Sequence, residues 1–112
     1  MIMQIQNDML DLHFWVVTEI FKSYLNAGKR PPLYFYRDSN KKEIDLILEK
    51  DQTLTPVEIK KASAPAHAVR NFTVLSSLEK GNVTIGQGAV ICMAGDLLPI
   101  DHKNWYVPAW LI

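Results

Sequence analysis

The chain has 112 residues, 48% of them hydrophobic, and its 12 Lys and Arg balance its 12 Asp and Glu, so the formal net charge is zero. This length suits one compact domain that buries roughly two-thirds of its unfolded surface, and it leaves no room for a second. Zero net charge excludes a global field that would draw the chain to nucleic acid or membrane, so any basic surface must be local. The single cysteine, Cys92, excludes an internal disulfide and, within the apolar run "AVICM", reads as core filler suited to a reducing cytosol. No charged start leads into a signal region, and no apolar run approaches the ~20 residues that span a bilayer. The chain is accordingly read as a cytoplasmic, non-membrane protein.

The first predicted element is a helix over Met9 to Ala27, "MLDLHFWVVTEIFKSYLNA", which lacks Pro and Gly, follows Asn7 or Asp8 as a cap and stops at Gly28. At about 100° per residue, Leu10, Phe14, Val17, Phe21, Tyr24 and Leu25 project as one apolar stripe, with His13 beside it. Three strand signals follow, "LYFYRD", "EIDLILE" and "TPVEIKK", joined by the short polar linkers "SNKK" and "KDQTL"; an antiparallel meander is the economical arrangement. Pro65 opens "PAHAVRNFTVLSSLEKG", which reads as a second helix with a Val69, Phe72, Leu75, Leu78 stripe and a terminal Gly81. "GAVICM" is continuously apolar and is expected in the middle of the sheet. "NWYVPAWLI" supplies one more strand before Pro108. The element order is αβββαββ, with no internal repeat.

Side chains alternate across a strand. Ile44, Leu46 and Leu48 therefore share one face, with Glu43, Asp45 and Ile47 on the other, while Glu58 and Lys60 lie opposite Val57 and Ile59. Pairing the apolar faces brings Asp45, Glu58 and Lys60 to one side. Two carboxylates there can ligate a hard divalent cation such as Mg²⁺, and a neighbouring ammonium can position an attacking water. The plain alternative is a half-exposed hairpin carrying solvated, cross-strand charges.

Asp45 in "EIDLIL" followed by Glu58 and Lys60 in "PVEIK" resembles the D…(D/E)-x-K core of the PD-(D/E)XK, or restriction-endonuclease-like, superfamily. More narrowly, "LYFYRDSNKKEIDLIL", "PVEIKKASAP" and "GAVICM…NWYVPAWLI" resemble the C-terminal domain of unknown function (DUF4143-like) found behind the P-loop module of bacterial and archaeal AAA-type ATPases. The resemblance runs from about Leu12 to the end. It implies an α/β fold with a mixed sheet of four to five strands and flanking helices, Asp45 and Glu58 as metal ligands for Mg²⁺ or Mn²⁺, and Lys60 as the residue steering water. It also implies that residues 1–112 are one such domain, the C-terminal piece of a longer chain.

Two departures from the family pattern bear on function. No G-x-x-x-x-G-K-[ST] loop occurs, so no ATPase activity is expected of this chain. In the first helix "LDLHFWVVTEI" a later glutamate stands at Glu19, while an earlier one is replaced by His13, a further candidate ligand that suits Mn²⁺ or Zn²⁺ better than Mg²⁺. The expected function is therefore a degenerate nuclease-like module that serves interaction or nucleic-acid binding, with an active divalent-metal-dependent nuclease as the alternative.

Secondary candidates surround this core. Lys41, Lys42, Lys61 and Arg70 form a candidate phosphate-tracking rim for DNA or RNA, near Tyr34 or Tyr36, against the plain reading of solvated charges. Glu43 is a candidate outer ligand or an edge charge. His67 and His102 lack metal-ligand spacing, and Ser76 and Ser77 lack a nucleophile elbow. The apolar end, Trp105, Tyr106, Trp110, Leu111 and Ile112, either completes the core or docks a P-loop ATPase module or a second copy of the chain.

Overall fold

The computed structural model of the chain describes residues 2–3, 12–79 and 81–112. One α-helix and a mixed sheet make an α/β fold, and among the described residues the strands of five or more residues number five, as expected. These are β2 (Leu33–Arg37), β3 (Glu43–Lys50), β4 (Thr53–Ile59), β6 (Gly88–Cys92) and β8 (Asn104–Pro108). Three two-residue strands, β1 (Ile2–Met3), β5 (Thr84–Ile85) and β7 (Leu98–Pro99), trim the sheet. The lateral order is β1-β2-β3-β4-β6-β8-β7, with β5 also on β4. The β2, β3, β4 meander is antiparallel, whereas β4, β6 and β8 run parallel. "GAVICM" thus lies between two partners, as its unbroken apolar run predicts.

Local chemistry accounts for the connections. β3 and β4 are joined by Asp51 and Gln52, both at positive φ (52° and 65°), the two-residue turn whose twist matches that of the flanking strands. Pro56 falls where β4 passes from its partner β5 at Thr53 and Leu54 to β6 at Val57, so its missing N–H deprives no ladder.

Helix α1 spans Leu12–Asn26; positions 9–11 of the predicted span lie outside the described residues. It ends in a Schellman arrangement, in which Gly28 at φ +71° donates to the Leu25 carbonyl and Lys29 N–H reaches the Tyr24 carbonyl. Its predicted stripe requires correction. Val16 is fully buried, with Leu12, Val17 and Ile20 packed beside it, whereas Phe21 and Leu25 are exposed. Of the predicted stripe, Val17 is the member packed against this core; Leu10 lies outside the described residues. Several apolar residues surround this helix on more than one side, and the projection alone followed the bulkier ones.

The second helix also differs from expectation. Residues 66–69 are turn, with His67 at φ +58°, and a 3-10 helix covers Arg70–Leu78. Val69, Phe72, Leu75 and Leu78 recur every third residue, a spacing that eclipses side chains in a three-residue turn and drifts off one face in an α-helix. Phe72 and Leu75 are buried, while Leu78 is exposed.

The sheet is covered on both faces. On one, Val16 of α1 packs with Leu46, Val57, Ile59, Ile91 and Ala109. On the other, Phe72 and Leu75 pack with Ile44 and Ile47, beside a cluster of Val90, Cys92 and Ala94. Gly88 permits this second packing, because a Cβ there would lie 2.6 Å from the Phe72 ring.

Ile44 and Ile47 on one face, with Leu46 on the other, contradict simple alternation. Tyr34 pairs with Ile47 but Tyr36 pairs with Ile44, so Asp45 and Leu46 together oppose Phe35. This β-bulge shifts the alternation by one position. Glu43, Asp45 and Ile47 therefore do not share a face.

Candidate functional site

The bulge places Asp45 at a break in the sheet. β3 and β4 pair by backbone from Lys50–Thr53 to Leu46–Val57, and the ladder stops there. Continuing the register would set Asp45 opposite Glu58. Instead, the Asp45 N–H donates to Glu58 Oε1 (3.2 Å) and the Ile59 N–H donates to Asp45 Oδ2 (2.9 Å). Each carboxylate satisfies a backbone donor on the opposite strand.

Two further candidates join this pair. His13 Nε2, on the sheet-facing side of α1, lies 3.3 Å from Asp45 Oδ2, with side chains 45% and 23% exposed. Lys60 Nζ is 3.8 Å from Glu58 Oε2. His13, Asp45, Glu58 and Lys60 thus form one connected chain of contacts. They do not gather on one side of the sheet: Glu58 alternates with Val57 and Ile59, which face α1, while the bulge turns Asp45 toward His13. The two carboxylates meet in the gap between the strands.

Glu58 is 6% exposed, the one charged residue in the buried set among the described residues. Burial, then repulsion from Asp45, pushes its carboxyl up from 4.5 to about 7, against the opposing pull of the Asp45 N–H and Lys60. Near neutral pH it is substantially protonated. Among the described residues no three His, Cys, Asp or Glu side chains are grouped to hold a metal ion, and an imidazole is a poor partner for Mg²⁺.

The rim candidates lie on the surface. Lys41, Lys42, Lys61 and Arg70 are all exposed. Lys41 (φ +62°) and Lys42 belong to the β2–β3 turn, where the Asp38 carboxylate accepts the N–H groups of Asn40 and Lys42. Glu43 pairs with Arg37 at 3.0 Å. Glu19 is half-buried, and His67 and His102 are exposed. Asn71, which composition gave no reason to single out, donates from Nδ2 to the Glu43 carbonyl and so ties the 3-10 helix to the start of β3.

Apolar surface is left elsewhere. A cleft of about 350 Å³ is lined by Gln87, Gly88, Ala89, Leu97, Trp105 and Val107, none of them a member of the carboxylate cluster. Of the chain end, Ala109 completes the core, while Trp110 is 64% exposed and Leu111 and Ile112 are also exposed. No helix among the described residues is long and apolar enough to cross a membrane.

Fold and site together define an α/β domain with a carboxylate pair set into a split between two strands. The chain belongs to the family described as Domain of unknown function (DUF4143), which matches residues 13–112. No curated protein and no solved structure matches it.

Proposed function

We propose that this domain is a restriction-endonuclease-like scaffold without a working metal centre, and that it serves as an interaction module of an AAA-type ATPase. One observation carries the reading: Asp45 Oδ2 and Glu58 Oε1, atoms of the two carboxylates that would ligate a metal, already accept backbone N–H groups of the sheet. The order of helix, "YRD", "EID" and "VEIK" along the chain, together with the family membership, supports the scaffold assignment. Exposed Trp110, Leu111 and Ile112 support a docking role toward a P-loop module or a second copy. DNA or RNA held along Lys41, Lys42, Lys61 and Arg70 is the other binding role these residues allow.

The test is calorimetric titration of Mn²⁺ and Mg²⁺ into the wild-type protein, Asp45→Asn and His13→Glu. Neither ion is expected to bind the wild type, and His13→Glu is expected to gain affinity for Mn²⁺ by supplying the missing carboxylate. Binding to the wild type that disappears in Asp45→Asn would overturn the silent reading in favour of an active divalent-metal-dependent nuclease. That second reading is favoured by Lys60 lying 3.8 Å from Glu58 in the same connected cluster. Sedimentation of the wild type against Trp110→Ser tests self-association through the chain end.

A further inference from the structure

Antiparallel strands are ordinarily joined by backbone hydrogen bonds along their whole paired length. β3 and β4 follow this rule from the Asp51–Gln52 turn as far as Leu46 and Val57 and then abandon it. The ladder stops where β3 bulges, while β4 keeps its other edge paired to β6. The bulge gives β3 an extra residue at Asp45–Leu46, and the C-terminal half of β4 is committed on its other side to β6, through pairs that include Glu58 with Val90 and Ile59 with Ile91.

The split leaves two backbone donors, Asp45 N–H and Ile59 N–H, in a region where Ile59 is fully buried and Glu58 nearly so. A buried donor without an acceptor is strongly unfavourable, because the water it loses on burial is not replaced. Both are satisfied crosswise: the β4 carboxylate takes the β3 donor, and the β3 carboxylate takes the β4 donor. The logic is that of a helix capping box, in which two side chains reciprocally satisfy two backbone donors, transferred to a pair of strands.

We propose that Asp45 and Glu58 form a reciprocal strand latch, a conformational device that closes the sheet where its backbone ladder ends and, through His13 on Asp45 Oδ2, holds α1 against the closed seam. The latch requires an acceptor oxygen at each position and not a negative charge. An amide side chain therefore replaces either carboxyl, whereas an apolar side chain of similar size opens the seam at one donor and leaves the other in place. When the latch opens, β3 and β4 part from Asp45 and Ile59 outward while the turn end stays zipped. The device does not depend on the nuclease-like reading, since it operates in protein stripped of metal.

The experiment is amide hydrogen exchange by NMR on uniformly ¹⁵N-labelled protein in chelator. It compares the wild type with Asp45→Asn, Glu58→Gln, Asp45→Leu and Glu58→Met. Exchange at the residue 45 amide is expected to speed up at least about tenfold in Glu58→Met, and at the Ile59 amide by a similar factor in Asp45→Leu, each with little change at the other site. Both sites should stay within about threefold of the wild type in Asp45→Asn and Glu58→Gln. Unchanged protection of the residue 45 amide in Glu58→Met, or exchange in Glu58→Gln as fast as in Glu58→Met, would overturn the latch. Should Asp45→Leu fail to fold, the Glu58 pair of variants decides the question alone. Metal titration has no bearing on this exchange pattern, so either proposal can fail without the other.

Discussion

The two ends of the β3–β4 hairpin are built on different principles. At the turn end, Leu46 through Lys50 pair with Thr53 through Val57 by backbone alone, and the side chains are free to pack: Leu46 into the α1 face and Ile47 into the 3-10 face. At the open end the backbone is unpaired, and two ionisable side chains do the joining. The first arrangement is insensitive to pH and ion content. The second makes strand pairing depend on acceptor oxygens carried by side chains, and it is the end that holds both carboxylates of the candidate site, with His13 of α1 and Lys60 beside them.

This contrast can be broken at each end. The largest effect is expected at the zipped end, where Leu46→Ala removes a fully buried side chain between α1 and the sheet and should cost about 2–5 kcal/mol in chemical denaturation. Next comes the latch. Glu58→Ala strands the Asp45 N–H and should cost about 1–3 kcal/mol, while Glu58→Gln, measured in the same way, should retain most of the stability.

The third prediction concerns pH. Because the Glu58 carboxyl is raised from 4.5 to about 7 on folding, the folded protein binds more protons than the unfolded chain between those values. The contribution of this group to stability is therefore greatest below pH 4.5, declines as pH rises and is fully lost above about 7, a swing on the order of a few kcal/mol. Denaturation across pH 4.5 to 7.5 should show the decline, and Glu58→Gln should flatten it. The smallest effect is expected at His13, whose contact with Asp45 is half-exposed. His13→Ala should shift stability by no more than about 1 kcal/mol at low ionic strength and less in high salt, by the same assay.

Much of the framework was legible in the sequence, for reasons that also explain the misses. Gly28 announced the end of α1 because only a left-handed residue closes that motif without strain, and the unbroken apolar run "GAVICM" announced a central strand. The pairing of Asp45 with Glu58 was legible as a motif. What alternation could not reveal was the bulge. Nothing in "EIDLIL" distinguishes a strand that keeps phase from one that slips by a residue at Asp45, because the slip shows only in the pairing with β2, where Asp45 and Leu46 together oppose Phe35. The rotation of α1 was hidden by an excess of apolar residues, since Phe21 and Leu25 outweigh Val16 and Ile20 in bulk yet remain outside. The 3-10 geometry was visible in principle: an uninterrupted period of three from Val69 to Leu78 is a signal in its own right, and a helix template at 3.6 absorbs it without remark.

That period of three has a consequence for how the segment can change in length. In a helix with three residues per turn, removing three consecutive residues returns every later side chain to its original angular position, and the rod simply shortens by about 6 Å. The same removal from α1 would swing the remainder of that helix by about 60°. Within Arg70–Leu78, a nine-nucleotide deletion in the gene would thus leave the inward-facing side chains facing inward.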